Sequence, residues 1–160
     1  MIRIIMSISL TMGLVVLPAM IIHATDTRSN YYLYEESQLS FTKCLRYEAL
    51  ESHAALALSS VIQVCKVFHF RPDGTIQATT STTEPNPTEW CLDAASGLGN
   101  DGDPIQLLEC NGKANQIWHL KDGRLRGIHE KCIVRGEGDK AILGSCKHGI
   151  MWHPEVWTQD

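Results

Sequence analysis

The chain has no stretch in which basic residues gather: 14 lysines and arginines are scattered singly against 18 acidic residues, for a net charge of −4. Without a basic stripe to track phosphates, nucleic acid and anionic membrane are poor partners. No Gly-x-Ser-x-Gly, no His-Glu-x-x-His and no glycine-rich phosphate loop is present, so neither an enzyme nor a cofactor is expected. Zinc is not expected either, because no two cysteines stand at the roughly two-to-four-residue spacing that zinc sites favour. The histidines after the first (His53, His69, His119, His129, His148, His153) are isolated in sequence, which gives no reason to expect a metal. N-glycosylation has no usable acceptor, since Asn86 is followed by Pro87. Beyond Ile22 no apolar run approaches the roughly twenty residues that span a bilayer. The strongest, Ala54 to Val64, is interrupted by Ser59, Ser60 and Gln63.

The start of the chain is different. Arg3 precedes an apolar run from Ile4 to Ile22, broken by Ser7, Ser9, Thr11, Gly13 and Pro18 and followed by His23 and Ala24. This is the layout of a secretory signal peptide with a small residue at the cleavage point, so residues 1–24 are expected to be removed and the mature protein to be secreted or extracytoplasmic. A single membrane anchor is the competing reading, and the polar interruptions and the lack of a basic stop after the run speak against it. Residues 25–160 suffice for one domain with a real core and are too few for two ordinary ones.

All six cysteines lie in that domain, at Cys44, Cys65, Cys91, Cys110, Cys132 and Cys146. An even number behind a secretory leader points to three disulfides, although six cysteines by themselves allow fifteen pairings. An internal repeat organises them. Lys43-Cys44-Leu45, Trp90-Cys91-Leu92 and Lys131-Cys132-Ile133 each open a unit, and each unit reaches an apolar run that closes on a second cysteine. The runs are Val61-Ile62-Gln63-Val64-Cys65, Ile105 to Cys110 and Ala141 to Cys146, and they read as short strands.

An aromatic segment follows each second cysteine: Val67-Phe68-His69-Phe70, Gln116-Ile117-Trp118-His119-Leu120 and Glu155-Val156-Trp157. The first two run into Asp73-Gly74 and Asp122-Gly123, a dipeptide that signals a hairpin. The third lacks a following strand, which the segment Tyr31 to Ser40 is placed to supply. Three units closed in this way describe a barrel and cap with pseudo-threefold symmetry and protected edges. Two stretches interrupt the repeat. Leu45 to Ser59 reads locally as a helix, either a helical insertion between two strands or part of the strand pattern, and Thr79 to Thr88 reads as a surface loop.

The second unit, with Cys91-Leu92-Asp93, Gly102 to Leu107, Cys110 and Asn115-Gln116-Ile117-Trp118, resembles the ricin-B lectin repeat and its Gln-x-Trp motif. The resemblance implies an all-β protein, a β-trefoil of three pseudo-repeats with three intra-repeat disulfides. It also implies a glycan ligand of galactose or N-acetylgalactosamine type, with Asp93, Gln106, Leu108, Asn115 and Gln116 at the sugar-binding positions. In that family the Asp and Asn bond sugar hydroxyls, the Gln of the motif supports the Asp, and an aromatic ring stacks on the sugar. Leu108 departs from the pattern at the ring position. Asp93 also fits a simple turn cap, and Trp118 a core residue. Arg46 and Val134 take the Asp93 position in the other two units, so at most one site is expected. The alternative is a protein-binding or host-surface-binding trefoil subunit of a secreted complex or toxin, with Met151 and Trp152 of the third repeat as the partner surface.

Overall fold

The computed structural model describes residues 30–36, 41–78 and 88–156. Among these residues the structure is all-β. Twelve strands follow in order: β1 (Asn30–Glu36), β2 (Phe41–Tyr47), β3 (Leu56–Ser59), β4 (Val67–Phe70), β5 (Ile76–Ala78), β6 (Trp90–Ala94), β7 (Ile105–Glu109), β8 (His119–Lys121), β9 (Arg124–Arg126), β10 (Cys132–Arg135), β11 (Ala141–Gly144) and β12 (Trp152–Val156). The helical elements between them are single 3-10 turns.

The repeat seen in the sequence is a repeat in the register. Leu45 pairs with Leu58 across β2 and β3, Leu92 with Leu107 across β6 and β7, and Ile133 with Leu143 across β10 and β11. All six side chains are buried. Where a strand alternates, one face is apolar and packs inward, and three copies of the same hairpin bury three copies of the same pair. The hairpins touch one another around the pseudo-threefold axis through the bridges Ala55 with Gln106, Pro104 with Ile142 and Ala57 with Lys140. A second ring of equivalents, Phe68, Trp118 and Trp152, fills the centre with Ile76, Leu125 and Leu33.

The remaining hairpins, β4–β5 and β8–β9, turn on the two Asp-Gly pairs. Asp122 and Gly123 have φ of 50° and 71°, the left-handed pair of values that a tight two-residue turn between twisted strands requires. The third such hairpin has no covalent turn. β1 pairs with β12 instead, and then with β2 through Tyr34 and Cys44, just as β5 and β9 feed β6 and β10. The N-terminal strand therefore closes the third unit as expected. Disulfides join Cys44 to Cys65, Cys91 to Cys110 and Cys132 to Cys146, each within one unit. Their sequence separations of 21, 19 and 14 residues put each at about 3 kcal/mol in the loop-entropy account.

Of the two readings of Leu45 to Ser59 the strand pattern holds, because Tyr47 pairs with Leu56 and Cys44 with Ser59, and this tertiary pairing overrides a helical composition. Three expectations are corrected. The apolar run before Cys65 is a 3-10 turn at Ile62–Val64, and the strand of that unit lies earlier, at Leu56–Ser59. The counterpart of Trp118 in the third unit is Trp152 rather than Trp157: Trp118 N–H donates to Gly74 O at 2.8 Å, and Trp152 N–H to Gly123 O at 2.7 Å. Trp152 is consequently 2% exposed and Met151 half-buried, so the pair does not form an exposed patch for a protein partner. The leader expected at residues 1–24, the last part of the expected closing segment at Ser37 to Ser40, the loop expected at Thr79 to Thr88 apart from Thr88, and Trp157 lie outside the described residues.

Candidate carbohydrate-binding site

Strand alternation sets the site. On β7, Ile105 and Leu107 face the core, which turns Gln106 and Leu108 to the other side. Register then places Asp93 of β6 opposite Gln106, and Cys91 opposite Leu108. Asp93 is off the core face yet only 1% exposed. The cover comes from the 3-10 turn Ala114–Gln116, whose Asn115 and Gln116 are themselves buried. That turn is held in place by Trp118 immediately after it, whose Nε1–H donates to Leu92 O at 3.0 Å.

Four of the five expected residues form one network centred on the Asp93 carboxylate. Gln106 Nε2 donates to Oδ1 at 3.1 Å, while Asn115 Nδ2 and Gln116 Nε2 donate to Oδ2 at 2.8 and 3.1 Å. Asn115 Nδ2 also reaches Ala94 O at 3.1 Å, and Gln116 Nε2 reaches Glu109 O at 3.1 Å. Gln116 Oε1 accepts from Asn111 N–H at 2.8 Å, which fixes its amide with nitrogen toward Asp93. Leu108, the fifth residue, lies half-buried on the same face as Gln106 and makes no part of the polar network.

Burial raises the Asp93 carboxyl above the usual carboxylate range, and the donors from Gln106, Gln116 and Asn115, with the nearby His53, pull against it. A carboxylate offers about four acceptor sites and three are used here, so one remains on Oδ1. Asn115 Oδ1 has no partner among the described residues. A buried acceptor and a neighbouring amide oxygen, both pre-set by their neighbours, suit a polyhydroxylated ligand that offers adjacent O–H donors. Among the described residues no three His, Cys, Asp or Glu side chains converge to hold a metal ion.

The second unit alone carries this chemistry. Arg46 stands in the Asp93 position of the first unit, opposite Ala57 and paired with Glu48. Val134 stands there in the third, opposite Ile142. Lys66 and Ile150 occupy the place of Gln116, two residues before the buried aromatic.

Two neighbours were not foreseen. His53, from the first unit, places Nδ1 3.2 Å from Gln106 Oε1. Leu98 is 68% exposed in the loop after β6, next to Gly97, whose α-carbon faces the Asn115 amide. The sequence carries no signal for His53, since the contact spans two repeats. His119 does not join the site; its ring lies beside Gly74 at the other hairpin.

No family model matches the chain. The chain is similar to a probable lipoprotein EnvE of Salmonella typhimurium, 38% identical over 64 residues, which are 36% of this chain and 37% of that protein. It is also similar to the ribosome-inactivating protein PMRIPm of Polygonatum multiflorum, 33% identical over 67 residues, or 38% of this chain and 11% of that one. The matches thus cover well under two thirds of either relative. Among solved structures, the β-trefoil lectin of the Vibrio vulnificus hemolysin/cytolysin, with N-acetyl-D-lactosamine bound, superposes with a TM-score of 0.64 at 11% identity. The superposition covers 82% of this chain and 97% of that one. At that identity the likeness establishes the β-trefoil fold.

Proposed function

We propose that this chain is an exported, non-catalytic carbohydrate-binding module that holds a galactose- or N-acetylgalactosamine-type sugar at one site in its second repeat. The observation that carries the reading is the convergence of Gln106, Asn115 and Gln116 on the buried Asp93 carboxylate, a polar centre that the other two repeats lack. Asp93 Oδ1 and Asn115 Oδ1 accept from neighbouring sugar hydroxyls, Gln106 completes the polar rim, and Gln116 supports Asp93 from below. Leu108 and Leu98 supply the apolar contact that a ring gives elsewhere. That contact is smaller than an aromatic stack, so a lone monosaccharide binds weakly and avidity comes from another domain or another copy. The lactosamine bound to the similar Vibrio vulnificus lectin supports a β-galactoside as the first ligand to try.

The test is a calorimetric titration of the oxidised domain with lactose and with N-acetylgalactosamine, beside Asp93→Ala. Saturable binding that drops at least about tenfold in the variant supports the reading, because hydrogen bonds to a charged group are worth about 1.5–3 kcal/mol each. Equal binding by both proteins places the ligand elsewhere.

A further inference from the structure

The three-donor network around Asp93 does not end at the second repeat. Asp93 is 1% exposed, Gln106 half-buried and His53 exposed, so the chain Asp93–Gln106–His53 leads from the buried carboxylate to solvent. The hydrogen bonds along it have a fixed direction. A carboxylate only accepts, so Gln106 must turn Nε2 inward to Oδ1 and Oε1 outward. Only an N–H can meet that outward oxygen, which makes Nδ1 of His53 the donor at 3.2 Å.

The placement of His53 is built rather than incidental. Its backbone N–H donates to Leu107 O at 2.8 Å, and Leu107 N–H returns a bond to Ala54 O at 2.8 Å, so the first repeat is laced to β7 by two bonds at Leu107, the residue after Gln106. His53 sits at φ 65°, a left-handed conformation that costs a non-glycine residue free energy and persists only where its surroundings impose it.

We infer that His53 is a positioning residue of the glycan site, which is therefore assembled from two repeats. By holding Oε1 it prevents the Gln106 amide from turning over, and so presents Nε2 and the open acceptor of Asp93 to the ligand in one arrangement. The inference rests on the carbohydrate reading of Asp93 and adds to it a residue from outside the second repeat.

Two variants separate orientation from backbone strain. Glycine and asparagine both tolerate positive φ, and the asparagine amide nitrogen stands at the same number of bonds from the backbone as imidazole Nδ1. Lactose and N-acetylgalactosamine titrations of His53→Gly are expected to weaken binding about three- to tenfold, the value of one neutral hydrogen bond. His53→Asn should return to within about twofold of the native protein. In the absence of sugar, the Gln106 side-chain amide protons, followed by NMR, should lose their native shifts and exchange protection in His53→Gly and recover them in His53→Asn. Native binding by His53→Gly, binding by His53→Asn as weak as by His53→Gly, or unchanged Gln106 protons in His53→Gly would each overturn the inference. No binding of either sugar by the native protein would instead end the carbohydrate reading, and the Gln106 protons would still decide whether His53 sets the amide.

Discussion

Replacing Asp93 by alanine removes the acceptor of three hydrogen bonds, and the structure sets how much that costs. Asn115 Nδ2 keeps Ala94 O and Gln116 Nε2 keeps Glu109 O, so neither buried amide is stranded. Gln106 is half-buried and turns to water. The loss is therefore that of charge-assisted bonds, partly offset because a carboxylate that burial disfavours is gone. A net loss of about 2 kcal/mol follows, against about 1.5–3 for each such bond taken singly. With a urea slope of about 1–3 kcal/mol per molar, the unfolding midpoint falls by about 1 M. Asp93→Asn is milder, because its oxygen still accepts from Asn115 and Gln116 and only the bond from Gln106 is lost. The pH dependence has a definite sign. The folded carboxyl is raised, so the native state binds the proton more tightly than the unfolded chain. Relative to Asp93→Asn, the native protein is then most stable below the usual Asp value of 3.8 and loses that advantage as pH rises through the folded value. Asp73 and Asp139 are lowered and act in the opposite sense, but both proteins share them. A midpoint for Asp93→Ala within about 0.3 M of native, or a native-minus-Asn difference that grows with pH, would refute the reasoning.

Other perturbations read other parts of the fold. Cys132→Ser with Cys146→Ser opens the 14-residue separation of the third unit and is expected to cost about 2–5 kcal/mol in thermal unfolding. An ideal Cβ at Gly127 would lie 2.6 Å from Trp118 Cζ3, so Gly127→Ala should destabilise by about 1–3 kcal/mol and alter Trp118 fluorescence. Trp152→Ala should cost about 3–5 kcal/mol as a core truncation. Trp152→Phe should cost much less, because the indole Nε1 it removes is buried without a partner.

The repeat was legible because local and tertiary preferences agree wherever it is strict. Leu92 after Cys91 and Ile133 after Cys132 lie in strands whose partners Leu107 and Leu143 bury the same apolar pair, and the Asp-Gly pairs turn where Gly74 and Gly123 supply positive φ. The first unit was less legible. Ala54, Ala55, Leu56, Ala57 and Leu58 favour a helix locally, and only the partner strand at Leu45 and Tyr47 selects extended chain. The third aromatic was misplaced because its interval from the second cysteine is shorter than in the second unit, and the deciding bond, Trp152 N–H to Gly123 O, is not written in composition. At the site, Asp93, Gln106, Asn115 and Gln116 were readable as a motif. His53 was not, because it comes from another repeat and acts through a contact 53 residues away in sequence.

The claim that one repeat of the three binds sugar is tested most directly by a residue-resolved NMR titration of the oxidised domain with lactose and N-acetylgalactosamine. The account predicts saturable shifts at Asp93, Gln106, Leu108, Asn115 and Gln116, with Arg46 and Val134 unmoved. Shifts centred on the first or third repeat, or none at high millimolar sugar, would contradict it.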